Sequence, residues 1–219
     1  MQLLVIIRKT LLFSRKMKIY IIASLLVLMG LIFIITTNSL RSNSNQGFKD
    51  GFCIPISTPF TFKTDEAEQL SIKAFNLKES NEYDEAIQLY LYAIKVEPDN
   101  PQLFFDLSYC YSRMNKLEQA IKLLDTAITL DSSFAPFYNN RGLFYGNLGN
   151  NQQAICDFKK AIQLDSSNYI IYANFALSYL HEKDSLNACE AFRNSKRLGL
   201  TVSSLNSSSG LSELNMICK

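Results

Sequence analysis

Four series of residues recur along this chain at a constant spacing of 34. Ala86, Ala120, Ala154 and Ala188 form one, and Ala74, Ser108, Gly142 and Ala176 another. Leu77, Tyr111, Tyr145 and Tyr179 form the third, and Tyr90, Leu124, Phe158 and Phe192 the fourth. A fixed period of this length means one supersecondary structure copied in tandem. No copy can hide its apolar face alone, so the copies must stack. Within each copy the apolar residues return at helical spacing. A copy therefore reads as two amphipathic helices and a short turn, for example Ala135 to Leu148 and Asn151 to Leu164. Gly142, Ala154 and Ala161 let the two axes approach, and Tyr138, Tyr145 and Phe158 fill the gaps beside them.

Small and aromatic residues held in separate registers at this period resemble the tetratricopeptide repeat. The resemblance covers about residues 65 to 200 and divides them into four repeats, at 65–98, 101–132, 135–166 and 169–199. It implies an all-α fold, a right-handed superhelical solenoid of helix-turn-helix repeats. Thr64 or Asp65 caps the first helix, with Glu68 placed to complete a capping box from Asp65. Pro98 closes the first repeat where the family commonly carries proline, and Pro101 opens the second at a favourable first helical position. There are departures. Ser132 stands at the closing proline of the second repeat, and Arg141 and Lys73 replace the usual leucine. In the fourth repeat Ser195, Lys196 and Leu200 break the series, as a terminal capping repeat does. In the tail, 201–219, Leu211, Leu214 and Ile217 at helical spacing predict a short helix over the face of the last repeat.

Charge is divided along the chain. Residues 1–18 carry Arg8, Lys9, Arg15, Lys16 and Lys18 and no acid, whereas residues 65–199 hold 13 basic and 18 acidic residues. An acidic repeat region without a basic stripe argues against nucleic acid. Residues 19–37 begin with an uncharged apolar run, Ile19 to Ile35. Their length and the basic flank predict one transmembrane helix or signal anchor, with residues 1–18 cytoplasmic and the repeats extracytoplasmic. The alternative is a cleaved signal that leaves a secreted or periplasmic soluble protein with its groove self-occupied. Against it, Thr37-Asn38-Ser39 is a poor small-x-small cleavage site. The linker, 38–64, begins as a Ser- and Asn-rich tether and ends in FCIPISTPFTF, which Pro55 and Pro59 keep extended.

Little in the sequence suggests catalysis, a cofactor, a metal or a small-molecule substrate. His181 is the one histidine, with no nucleophile at a recognisable spacing. Glu79, Glu82, Asp84 and Glu85 cluster at a turn and helix start, where they favour the positive end of the helix dipole. The five cysteines form no C-x-x-C pair. In an oxidising compartment a Cys189–Cys218 bridge would pin the tail onto the last repeat.

The family resemblance places the binding surface on the first helix of each repeat, lining a concave groove. The matching positions are Phe75 and Lys78, then Phe105, Tyr109 and Arg113, then Asn139, Leu143 and Asn147, and finally Leu177. Phe105 and Tyr109 stand out, because a repeat does not need aromatics there for its own packing. Asn140 and Asn174 occupy slots that some members use to grip a carboxylate, but Ser71, Phe105 and Pro136 replace the other polar or basic residues. The expected role is a membrane-anchored scaffold holding a protein or peptide with apolar anchors.

Overall fold

The computed structural model describes residues 60–201 and 208–219. The basic segment 1–18, the apolar helix expected over 19–37 and the linker up to residue 59 lie outside the described residues. The described residues all belong to one compact unit, Gln46–Lys219. Among them there are only helices, and none is long and apolar enough to cross a membrane. In order they are α1 (Asp65–Glu79), α2 (Tyr83–Val96), α3 (Pro101–Arg113), α4 (Leu117–Leu130), α5 (Ala135–Asn147), α6 (Asn151–Leu164), α7 (Tyr169–His181), α8 (Ser185–Arg197) and α9 (Ser209–Ile217). Successive pairs form antiparallel hairpins, and the second helix of each packs on the first helix of the next. First helices also meet across hairpins, α1 with α3 and α5 with α7.

The 34-residue registers are the reason the hairpins fit. Ala86, Ala120, Ala154 and Ala188 are all fully buried, as are Ala74, Ser108 and Ala176. At Gly142 the two helices come so close that an added Cβ would lie 3.1 Å from the Phe158 ring and 3.2 Å from the Ala154 carbonyl oxygen. Tyr90, Leu124, Phe158 and Phe192 fill the space beside these contacts and are at most 1% exposed. Serine is tolerated in the tight positions because its hydroxyl turns back on its own helix. Ser108 Oγ donates to the Phe105 carbonyl at 2.6 Å, and Ser195 Oγ to that of Phe192 at 2.7 Å. Neither hydroxyl is left unsatisfied in the core.

The turn inside each hairpin repeats as faithfully. Asn81, Asn115, Gly149 and Lys183 have φ of 63°, 59°, 80° and 60°, so each hairpin reverses through one left-handed residue. Asn and Gly adopt that conformation readily, whereas Lys does not. The first helix starts one residue earlier than a cap on Asp65 would require. Thr64 is the N-cap and its Oγ1 accepts from the Ala67 amide at 3.3 Å. Asp65 and Glu68 are then first-turn acids facing the positive end of the helix, and the capping box from Asp65 does not form.

Arg141 replaces an apolar residue because it ties three helices together. Its Nε and one terminal nitrogen donate to Asp157 on α6 at 2.8 and 2.6 Å, and the other reaches Asp125 on α4 at 2.7 Å. The Asp157 side chain is 8% exposed. Burial pushes its carboxyl above the usual range and Arg141 pulls it back. Arg141→Leu would leave that carboxylate buried without its cation. We expect a loss of roughly 2–3 kcal/mol in urea unfolding, below the cost for a fully enclosed pair because Arg141 itself keeps some solvent. Arg141→Leu combined with Asp157→Ala should recover most of it, and a double variant no better than the single one would count against this role.

At the C-terminal end α9 packs on α7 and α8, with Leu211 and Leu214 fully buried. Ser208 caps it, its Oγ accepting from the Leu211 amide. Ile217, the last residue of the helix, stays 48% exposed. A disulfide joins Cys189 on α8 to Cys218 just after α9.

Candidate partner-binding groove

Side chains of α1 and α3 build the open part of the groove. Lys78 lies at its centre, with Nζ 4.2 Å from the Phe75 ring centroid and 5.4 Å from that of Tyr109. The same ammonium pairs with Asp106 on α3 at 3.3 Å, and both side chains are 10% exposed. Burial raises the Asp106 carboxyl above its usual range, while Lys78 and a hydrogen bond from Gln102 oppose the shift. The pair thus holds the Lys78 ammonium close to both aromatic rings. Further along, Arg113 Nε donates to the Tyr83 hydroxyl at 3.2 Å and the guanidinium lies 6.0 Å from the Tyr83 ring. Phe75 is 43% exposed, Tyr109 is half-buried and Arg113 is exposed. An aromatic face edged by a cation is chemically suited to an apolar side chain with a carboxylate close by.

Four of the five remaining groove positions are closed. Phe105, Asn139, Leu143 and Leu177 are at most 3% exposed, so no partner reaches them in this structure. Phe105 is covered by Phe137, at 5.5 Å between centroids. Asn139 spends its amide on neighbours, donating to Asn140 Oδ1 at 2.9 Å and accepting from Asn174 at 3.0 Å. Those bonds also bury Asn140 and Asn174, which removes the two asparagines of the carboxylate-gripping pattern from the surface. Asn147 is half-buried at the end of α5, and His181 is exposed. Sequence reasoning missed Asp106 and Tyr83, which position Lys78 and Arg113. No local pattern marks a pair 28 residues apart, such as Lys78 and Asp106. Among the described residues no group of three or more His, Cys, Asp or Glu is placed to hold a metal ion.

Two tetratricopeptide repeat models match the chain, over residues 77–132 and 135–168. It is a tetratricopeptide repeat protein. Its repeats make it a scaffold for protein–protein interaction. No curated protein matches the chain. Solved structures similar to this tetratricopeptide repeat protein include MamA, at 20% identity and a TM-score of 0.60, covering 70% of this chain and 85% of MamA. PilF of Pseudomonas aeruginosa is similar at 17% identity and 0.61, covering 70% of this chain and 75% of that one. The first repeat domain of Spaghetti (RPAP3), bound to the HSP90 peptide SRMEEVD, is 23% identical with a TM-score of 0.54, covering 55% and 96%. At these identities the likeness shows the fold.

Proposed function

We propose that this protein is a membrane-anchored adaptor, a right-handed superhelical solenoid whose groove holds a protein or peptide at the membrane surface. The observation that carries the reading is the exposed Phe75 ring on α1, which lies beside Lys78 and the half-buried Tyr109, with the Arg113 side chain exposed further along α3. The partner it suits is an extended or helical segment with an apolar anchor for Phe75 and Tyr109. A carboxylate near Arg113 would complete the match. Anchoring rests on the uncharged run Ile19 to Ile35 behind a basic flank. An extracytoplasmic position for the repeats is supported by the Cys189–Cys218 bond, which oxidising compartments preserve.

The test is capture from detergent-solubilised membranes by the tagged protein and by Phe75→Ala/Tyr109→Ala. Both side chains are at least partly open, so the variant should keep its helical circular dichroism. Its yield of the captured partner should fall by about tenfold or more, the size of a lost aromatic anchor. Equal capture by a folded variant would overturn the groove as the binding surface.

A further inference from the structure

The helices α3, α5 and α7 each pack between two second helices, and the 34-residue register puts equivalent residues in the crevice above each. Leu91, Leu107 and Leu123 stand in the first crevice, Asp125, Arg141 and Asp157 in the second, and Lys159, Phe175 and Ala191 in the third. Leucine closes the first, where Leu107 is fully buried and Leu123 packs on the same cluster. Arg141 spans the second from wall to wall, and the space beside that bridge is lined by α5 and α6 alone. The third is left open. Ala191 stops at its Cβ where Leu123 and Asp157 carry longer side chains, and a cavity of about 380 Å³ lies between α6 and α8. Half-buried Phe175 and Tyr179 of α7 line it, with ring centroids 4.6 Å apart. That is ample room for one aliphatic side chain on an aromatic floor.

A side chain of the matching kind stands at the edge of this cavity. Leu186, near the start of α8, is 85% exposed, more than any other large apolar residue described. It precedes Asn187 and lies one turn before Glu190, both of which line the cavity. At that exposure it does not fill the cavity of its own chain. An apolar knob beside an apolar hole on one surface is self-complementary, because a two-fold axis can bring each knob to the hole of the other copy. The charges agree. Lys159 on the α6 wall and Glu190 on the α8 wall are exposed, and neither forms an ion pair among the described residues. The same axis lets the second copy's Glu190 face Lys159.

We infer that the crevice between α6 and α8 is a self-association site, in which Leu186 of one copy seats on Phe175 and Tyr179 of another and the exchange is mutual. The product is a two-fold dimer. None of the groove positions lines the cavity, so the inference stands apart from the groove reading and the dimer leaves Phe75 and Tyr109 to a different partner.

The experiment mixes two differently tagged full-length chains in a large excess of detergent micelles and measures how much of one is recovered with the other. Leu186→Asn removes the knob at an exposed position. Ala191→Leu fills the hole with the residue that the first crevice carries as Leu123, so both variants should keep native helicity. The native chain should recover its own kind, and each variant should recover its own kind at least about tenfold less, the effect of a lost interface anchor. When the two variants are mixed, Leu186 of the Ala191→Leu chain still fits the open crevice of the Leu186→Asn chain. Cross-recovery should therefore exceed the self-recovery of either variant. Native chains that do not associate would overturn the inference, including a monomer that captures a different protein through this crevice. Association that a folded variant leaves undiminished would do so too, as would cross-recovery no better than self-recovery. Phe75→Ala/Tyr109→Ala should associate like the native chain, which keeps a failure of the groove reading distinct from a failure of this one.

Discussion

Phe158→Ala should lower the unfolding free energy by about 3–5 kcal/mol, more than any other single side-chain truncation considered. Phe158 is fully buried on α6, and its ring touches the point where α5 comes closest, beside Gly142. It also lies 6.5 Å from Phe175 on α7, so its loss opens a void shared by two hairpins. The helices around it are held at short distance by Ala154 and Gly142, which have no side-chain length with which to fill the space. Collapse is therefore limited, and the cost should lie well above that of simple transfer from water. Urea unfolding followed by helical circular dichroism reads the effect as a lowered midpoint at unchanged slope. A loss under about 1 kcal/mol would mean that the ring is not part of a close-packed contact.

Removing the Cys189–Cys218 bond should be the next largest change, at about 2–4 kcal/mol. The bond closes a sequence separation of 29, and its main effect is to limit how far α9 can move from α8 in the unfolded chain. What it protects locally is the burial of Leu211 and Leu214. Without the bond, a helix of 9 residues has little stability of its own and rests on those two side chains. Reduction, or Cys218→Ser, should therefore accelerate amide exchange in α9 first, with α5 and α6 affected only as global stability falls. Identical exchange in α9 with and without reductant would contradict the capping role.

Much of this architecture can be read from residue spacing alone, because close helix packing leaves few choices. Only a very small residue fits at Gly142 or Ala154, and only a bulky apolar one fills the site of Phe158, so steric demand prints itself on the sequence at each repeat. The left-handed turn residues obey the same period, although Lys183 disguises it in the last hairpin. Groove accessibility is different in kind. Phe105 reads as a free aromatic because nothing nearby in sequence covers it; Phe137 and, beyond it, Phe60 do so through contacts between separate hairpins. The same holds for Asn139, whose partner Asn174 lies 35 residues away. Such contacts are set by how successive hairpins stack. The Arg141 bridge is likewise invisible locally, since Asp125 and Asp157 lie 16 residues to either side.

Site-specific photocrosslinking addresses the proposed role most directly. A photoreactive side chain at Phe75 or Tyr109 of the full-length protein in cells that express it, irradiated beside a control at exposed Lys122 on α4, compares the groove with a helix that does not line it. The account predicts a discrete adduct with a second protein from both groove positions, absent from Lys122. Adducts of equal yield at all three positions, or none at the groove, would contradict it.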